Sequence, residues 1–275
     1  MGRTFWMGGT DNRWIGRAIV VCALLSFPTL PAPPALPVLS AQPLDRLTGK
    51  VVDAAGTSVA DADVHVEAIF GFAGGDFLGQ RTFTARTNAK GEWGLLAFKS
   101  GIWVFDVAAP GQLPDAVALP FNLVAPASSG IDRLTPAWHP LLRLSPTPAG
   151  DIGRTLTEAA EAARAQRADR VTPLLARVAD TNDALVLTAA GSICLLMRDP
   201  NVARPLFRRA LERDPTSFRA ALGMGSSALM QRNVDEAAKA FADARNLTKD
   251  KDERGYLSAA IAELNKAHNV MKGTY

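Results

Sequence analysis

Four residue pairs stand 34 positions apart in the last third of this chain: Gly191 and Gly225, Ala203 and Ala237, Phe207 and Phe241, Ala210 and Ala244. One coincidence at a fixed offset is chance. Four in register mark a repeat, and apolar residues recurring every three or four positions make each unit a helix–turn–helix. The residue types fit that geometry. Glycine on the first helix and alanine on the second sit where helices approach too closely for a larger side chain. Phenylalanine, four residues after the alanine, fills the space between units, and the second alanine follows on the same face. Pro215 ends a second helix, whereas Lys249 takes its place in the next copy. A unit of this kind cannot bury its apolar face alone, so the chain must stack several of them.

The spacing and residue types of Ala184–Lys249 resemble the tetratricopeptide repeat. Shifting back by 34 places Leu156, Thr157, Ala160, Asp169, Pro173 and Ala176 at the corresponding positions. Thr157 and Asp169 break the small-residue rule, so a degenerate unit is expected there. At this offset Cys194 aligns with Ala160 and Ala228, a helix–helix contact, and reads as a buried thiol. Residues 252–270 have the pattern of one amphipathic capping helix. The resemblance implies a concave groove lined by Leu185, Thr188, Ser192, Leu195, Arg219, Leu222, Ser226 and Leu229. Only Arg219 among these is charged, which disfavours gripping of a peptide carboxylate and favours a helix or an extended apolar peptide. The competing expectation is a spacer whose groove is filled by the chain's own segments.

Residues 44–148 have a different texture, with short strand-like runs punctuated by glycine. Val64, Val66 and Ala68 alternate with His65 and Glu67, as in a strand with one buried face. RTFTARTNAKGEWGLL reads as two strands around a hairpin loop, in which Gly91 takes the left-handed position. GIWVFDVAAPG is apolar on both faces, as a strand covered on both sides should be. Gly49–Asp53, Gly56, Ala62–Val66, Thr87–Trp93 and Gly101–Val104 together resemble the carboxypeptidase regulatory-like domain. That resemblance covers about residues 46–111 and implies a prealbumin-like, seven-stranded sandwich without peptidase activity. Residues 112–149 match poorly. Eight prolines between 110 and 150 suggest an edge strand at Leu141–Leu144 and then a stiff linker.

The first 41 residues describe a secretory signal: Arg3, Arg13 and Arg17, an apolar run from Ala18 to Leu30 broken by Pro28, and small residues near Ser40–Ala41. Cys22 belongs to the apolar run. Cleavage would remove three arginines and one aspartate from a chain with 30 basic and 27 acidic side chains, leaving a nearly neutral mature protein. Scattered charge gives no nucleic-acid surface. One cysteine, Cys194, would remain, so stability must come from packing. Hydrophobic side chains at 48% and charged ones at 21% fit a globular chain.

The expected architecture is therefore β then α: a signal peptide (1–41), a small antiparallel β-sandwich (44–148) and a short TPR-like α-solenoid (152–270). His65, His139 and His268 have no glutamate at zinc-peptidase spacing, so neither a metal nor another cofactor is expected, and no catalytic set can be assembled. Asn246-Leu247-Thr248 is a glycosylation sequon, meaningful only in a eukaryotic secretory route. The Ala- and Arg-rich composition looks bacterial. The resulting expectation is an exported, periplasmic or secreted non-catalytic adaptor whose groove binds a protein or peptide in a cell-envelope assembly. The alternative is a carbohydrate-binding module on the sandwich, with Trp93, Trp103 and Trp138 as platforms and the helices as spacer.

Overall fold

A computed structural model describes residues 46–70, 82–96, 101–121, 123 and 139–272. The signal segment and Trp138 lie outside them. Nine strands precede seven helices among the described residues. The strands are β1 (Arg46–Val52), β2 (Asp63–Phe70), β3 (Thr82–Arg86), β4 (Glu92–Leu96), β5 (Gly101–Ala108), β6 (Gln112–Leu113), β7 (Asp115–Phe121), β8 (Leu141–Arg143) and β9 (Ser145–Pro146). The helices are α1 (Asp151–Arg164), α2 (Ala168–Ala176), α3 (Ala184–Leu196), α4 (Pro200–Arg213), α5 (Phe218–Met230), α6 (Val234–Leu247) and α7 (Lys251–Met271).

Seven strands form two sheets, ordered β4-β1-β8 and β3-β2-β5-β7, and β6 pairs with β9 in a small ribbon. All the pairings are antiparallel except β1 with β8. Between the sheets, Trp93 of β4 lies 5.9 Å from Phe105 of β5, and Phe105 lies 5.8 Å from Phe121 of β7.

The expected hairpin at residues 88–91 is instead a corner. β3 pairs with β2 in one sheet and β4 with β1 in the other, so the chain changes sheets there. The turn itself is built as its residues suggest. Asn88 Oδ1 accepts from the N–H groups of Lys90 and Glu92, and Gly91 has φ 72°. A Cβ on Gly91 would fall 2.4 Å from the Val51 carbonyl oxygen, which explains the glycine twice over.

The proline-rich stretch contains a seven-residue strand, β7, besides the edge strand that the sequence suggests at Leu141–Leu144. Every residue of β7 is buried. Pro120 is tolerated because β7 pairs only with β5 and is the last strand of its sheet. Leu141–Arg143 forms a strand beside β1, where an edge strand was expected.

The helices pair as α1/α2, α3/α4 and α5/α6, with α7 closing the stack. Each pair turns on one residue in the left-handed region: Gln166, Arg198 and Arg232, with φ between 54° and 60°. The backbone bonds around these three turns are the same, for instance Arg167 N–H to Ala162 O, Asp199 N–H to Cys194 O, and Asn233 N–H to Ala228 O. They fix the true register. Units two and three are 34 residues apart, but units one and two are 32 apart.

This corrects the alignment of the first unit. Cys194 corresponds to Ala162 rather than Ala160, Gly191 to Ala159, Ala203 to Val171, Phe207 to Leu175 and Ala210 to Val178. Thr157, Asp169 and Pro173 are not core positions; all three are exposed. The substitutions are complementary. A Cβ on Gly191 would meet the Phe207 ring at 2.7 Å, and one on Gly225 would meet Phe241 at 2.4 Å. In unit one the ring is replaced by the smaller Leu175, and the glycine by Ala159.

Candidate functional site

The first helix of each unit, together with α7, faces the β-half. Val66, Phe105 and Val117 belong to the same buried cluster as Leu195, Leu229 and Leu264, so one core spans both halves. β7 packs against α3, α5 and α7 along the concave face of the repeat.

Polar side chains fix that arrangement at every concave helix. On α1, Arg164 donates two bonds to Asp106 of β5, at 2.7 and 2.8 Å. Burial, the largest single influence, lowers the Arg164 pKa, but the bond and charge of Asp106 together with the charges of Glu161 and Asp63 raise the guanidinium above its ordinary value. Just after α3, Arg198 pairs with Glu67 of β2. Within α3, the Ser192 hydroxyl donates to Asp115 of β7 at 3.2 Å. On α5, Arg219 pairs with the same Asp115 at 2.8 Å, and each side chain is only 10% exposed. Arg219 also donates to Ser145 Oγ at 2.6 Å.

Ser226 of α5 reads backbone rather than side chain. The Ala118 N–H donates to its Oγ at 3.0 Å, and the same hydroxyl donates to the Ala118 carbonyl at 3.4 Å. It thus satisfies the outer edge of β7, where another strand would otherwise pair. On α7, Glu263 accepts from the Leu123 N–H at 3.2 Å, and Glu253 accepts from Arg143 of β8 at 2.8 Å.

Of the groove residues expected from sequence, Ser192, Arg219 and Ser226 bond the protein's own strand β7. Ser192, Leu195, Leu222, Ser226 and Leu229 are buried; Leu185 and Arg219 are partly so. Thr188 is buried too, and its hydroxyl donates to Ala184 of its own helix at 2.7 Å. Among the described residues, β7 lies against α3, α5 and α7, the face on which the sequence places an external peptide. Asp106, Asp115, Glu253 and Glu263 were not anticipated. The usable signal was a carboxylate inside an apolar strand, at Asp106 and Asp115, because a buried charge needs a partner.

The expected sugar platforms also change. Trp93 is 3% exposed and Trp103 is fully buried, so neither ring presents a face for stacking. Trp138 lies outside the described residues. His65 is half-buried. It lines a cleft with Asp106, Arg164 and Arg198 between sheet and helices. His139 bonds the Thr48 hydroxyl at 2.7 Å, and His268 pairs with Asp235, so the three histidines stay in separate places. Cys194 is buried as expected, and burial pushes its thiol up to about 12.

No family model matches the chain, and no curated protein matches it. Several solved structures share parts of its shape. The first TPR domain of human RPAP3 is 12% identical, covering 45% of this chain and 97% of that one, with a TM-score of 0.38. MamA from AMB-1 is 23% identical, covering 46% and 83%, with a TM-score of 0.33. PA1324 of Pseudomonas aeruginosa is 11% identical, covering 38% and 88%, with a TM-score of 0.24.

Proposed function

We propose that the chain is an exported, non-catalytic interaction protein of a bacterial cell envelope, in which the helical groove holds the β-sandwich and partner proteins bind the remaining faces. The observation that carries this reading is the pairing of Ser226 with both backbone groups of Ala118, beside the Arg219–Asp115 pair. The helices grip an extended polypeptide here, but in cis, so the two halves act as one rigid adaptor body. The likeness of residues 46–111 to carboxypeptidase regulatory-like domains belongs to this proposal, as does export through residues 1–41.

Photo-crosslinking residues placed in the full-length protein in its native cell test the adaptor reading. Suitable exposed positions are Leu96 on the sandwich, Pro205 on α4 and Val270 on α7. A discrete protein adduct from at least one position in the envelope fraction is expected. Adducts from none, with the protein correctly folded, would sink the adaptor reading. A cytoplasmic location for the chain, with residues 1–41 intact, would sink export.

A further inference from the structure

The outer seams between units are built differently, and the difference leaves a pocket. Between units two and three, Arg204 of α4 crosses the seam to pair with Glu236 of α6 and to donate to Gln231 at 3.3 Å. Gln231 in turn donates to Asn201 at 2.7 Å. The register defined by the turns places Thr172, Met197 and Val202 at the equivalents of Arg204, Gln231 and Glu236 in the seam between units one and two. The polar bridge is therefore absent there. α4 packs broadly on α5 and α6 on α7, whereas α2 touches α3 little. The opening has a volume of about 400 Å³ and is lined mainly by Val171, Leu175, Ala190, Cys194, Val202 and Leu206.

Its volume falls in the range of small-molecule sites, and its walls are apolar. Asp199 is the one charged group in the lining. Asp199 Oδ1 accepts from the Val202 N–H at 3.1 Å as the cap of α4, which leaves the other oxygen free to accept from a ligand. The Cys194 thiol faces desolvation and stays protonated at neutral pH, so it adds no charge.

We propose that this seam is a binding site for an uncharged aromatic or acyl molecule carrying a single hydrogen-bond donor, which meets Asp199. A carboxylate or sulfonate head is disfavoured there by the Asp199 charge. None of its lining residues is among the side chains that bond the β-half.

N-phenyl-1-naphthylamine, a neutral aromatic amine that brightens in apolar surroundings, is the probe. The full mature protein should bind one equivalent. Thr172→Arg/Met197→Gln/Val202→Glu transplants the closed seam's bridge into the open one, and Ala176→Trp fills the mouth from an exposed position. Each variant should weaken the probe by at least about tenfold while the far-UV spectrum is kept. The proposal is overturned by an absence of brightening with the wild type. It is equally overturned by undiminished binding in either variant that retains its helicity. If the triple variant fails to fold, Ala176→Trp decides alone.

Discussion

The concave and convex faces of one helical stack are put to opposite uses. On the concave side, α1, α3, α5 and α7 and the turn after α3 all contribute polar bonds to a strand of the β-half, and the apolar core runs through the contact without a break. On the other side, among the described residues, α2, α4 and α6 show no extensive packing on the β-strands, and their seams are closed or open according to a few side chains. Helices of one repeat thus give a locked interface or an open pocket. What decides is whether the side chains at equivalent positions carry charge that finds a partner. A repeat supplies the frame, and single positions within it supply the function.

Removing Arg219 gives the largest expected effect. Arg219→Ala leaves Asp115 buried without its ion pair, and the loss should be about 3–5 kcal/mol in urea unfolding of the whole chain. Asp115→Leu added to Arg219→Ala should recover much of it, because the stranded charge is then gone. A wild-type midpoint for Arg219→Ala would mean that the groove does not lock the β-half. Within the stack, Phe207→Ala should cost about 3–5 kcal/mol, against about 1–2 for its half-buried counterpart Leu175→Ala. Equal losses would erase the distinction between the tight and the open seam.

A finer cut uses the matched pair of glycine and ring. Gly191→Ala places a methyl group 2.7 Å from the Phe207 ring, and the overpacking should cost about 1–3 kcal/mol. Combined with Phe207→Leu, which copies the Ala159/Leu175 pair of unit one, the same alanine should be nearly harmless. A double-mutant cycle in thermal or urea unfolding reads the coupling directly. Additive effects would show that the first unit's pair is not a compensated version of the other two.

Much of the helical half could be read from spacing, because Gly191, Phe207 and their copies at 225 and 241 carry steric information that survives without a structure. Unit one escaped for a specific reason. The interval between units one and two is 32 residues, so a 34-residue offset lands on exposed Pro173 where Leu175 belongs. The shape of the turn, with Gln166, Arg198 and Arg232 in the left-handed region, exposes the change, and nothing in the residue types of those three positions announces it. Among the sandwich strands, β2 is legible through its alternation and β5 through an apolar run on both faces. β7 was hidden because Pro114 and Pro120 argue against a central strand, and the rule is obeyed only through its place at the end of the sheet. Of the expected groove residues, Ser192, Arg219 and Ser226 bond β7, which fits the competing expectation of a groove filled by the chain's own segments. Sequence shows which side chains line a surface, while the partner of Ser226 is a backbone 108 residues away.

The smallest effect concerns the thiol beside the open seam, and it depends on pH. An unfolded cysteine titrates near about 8.5, whereas burial, with Asp199 adding to it, pushes Cys194 up to about 12 in the folded protein. Its folded value is raised, so its contribution is fully present below about pH 8.5 and is lost progressively as pH rises toward 12. Between those limits the unfolded chain has released a proton that the folded one keeps. Stability should fall by about 1.4 kcal/mol per pH unit from this group alone. Cys194→Ala should remove that slope between about pH 9 and 10, below the range where Tyr256, also raised by its burial, begins to contribute. A ligand held in the seam should leave the slope intact and raise the midpoint at every pH, since it keeps the thiol covered rather than ionised. If the variant and the wild type share one alkaline slope, Cys194 meets water in the folded protein, and the seam is wetter than its lining implies.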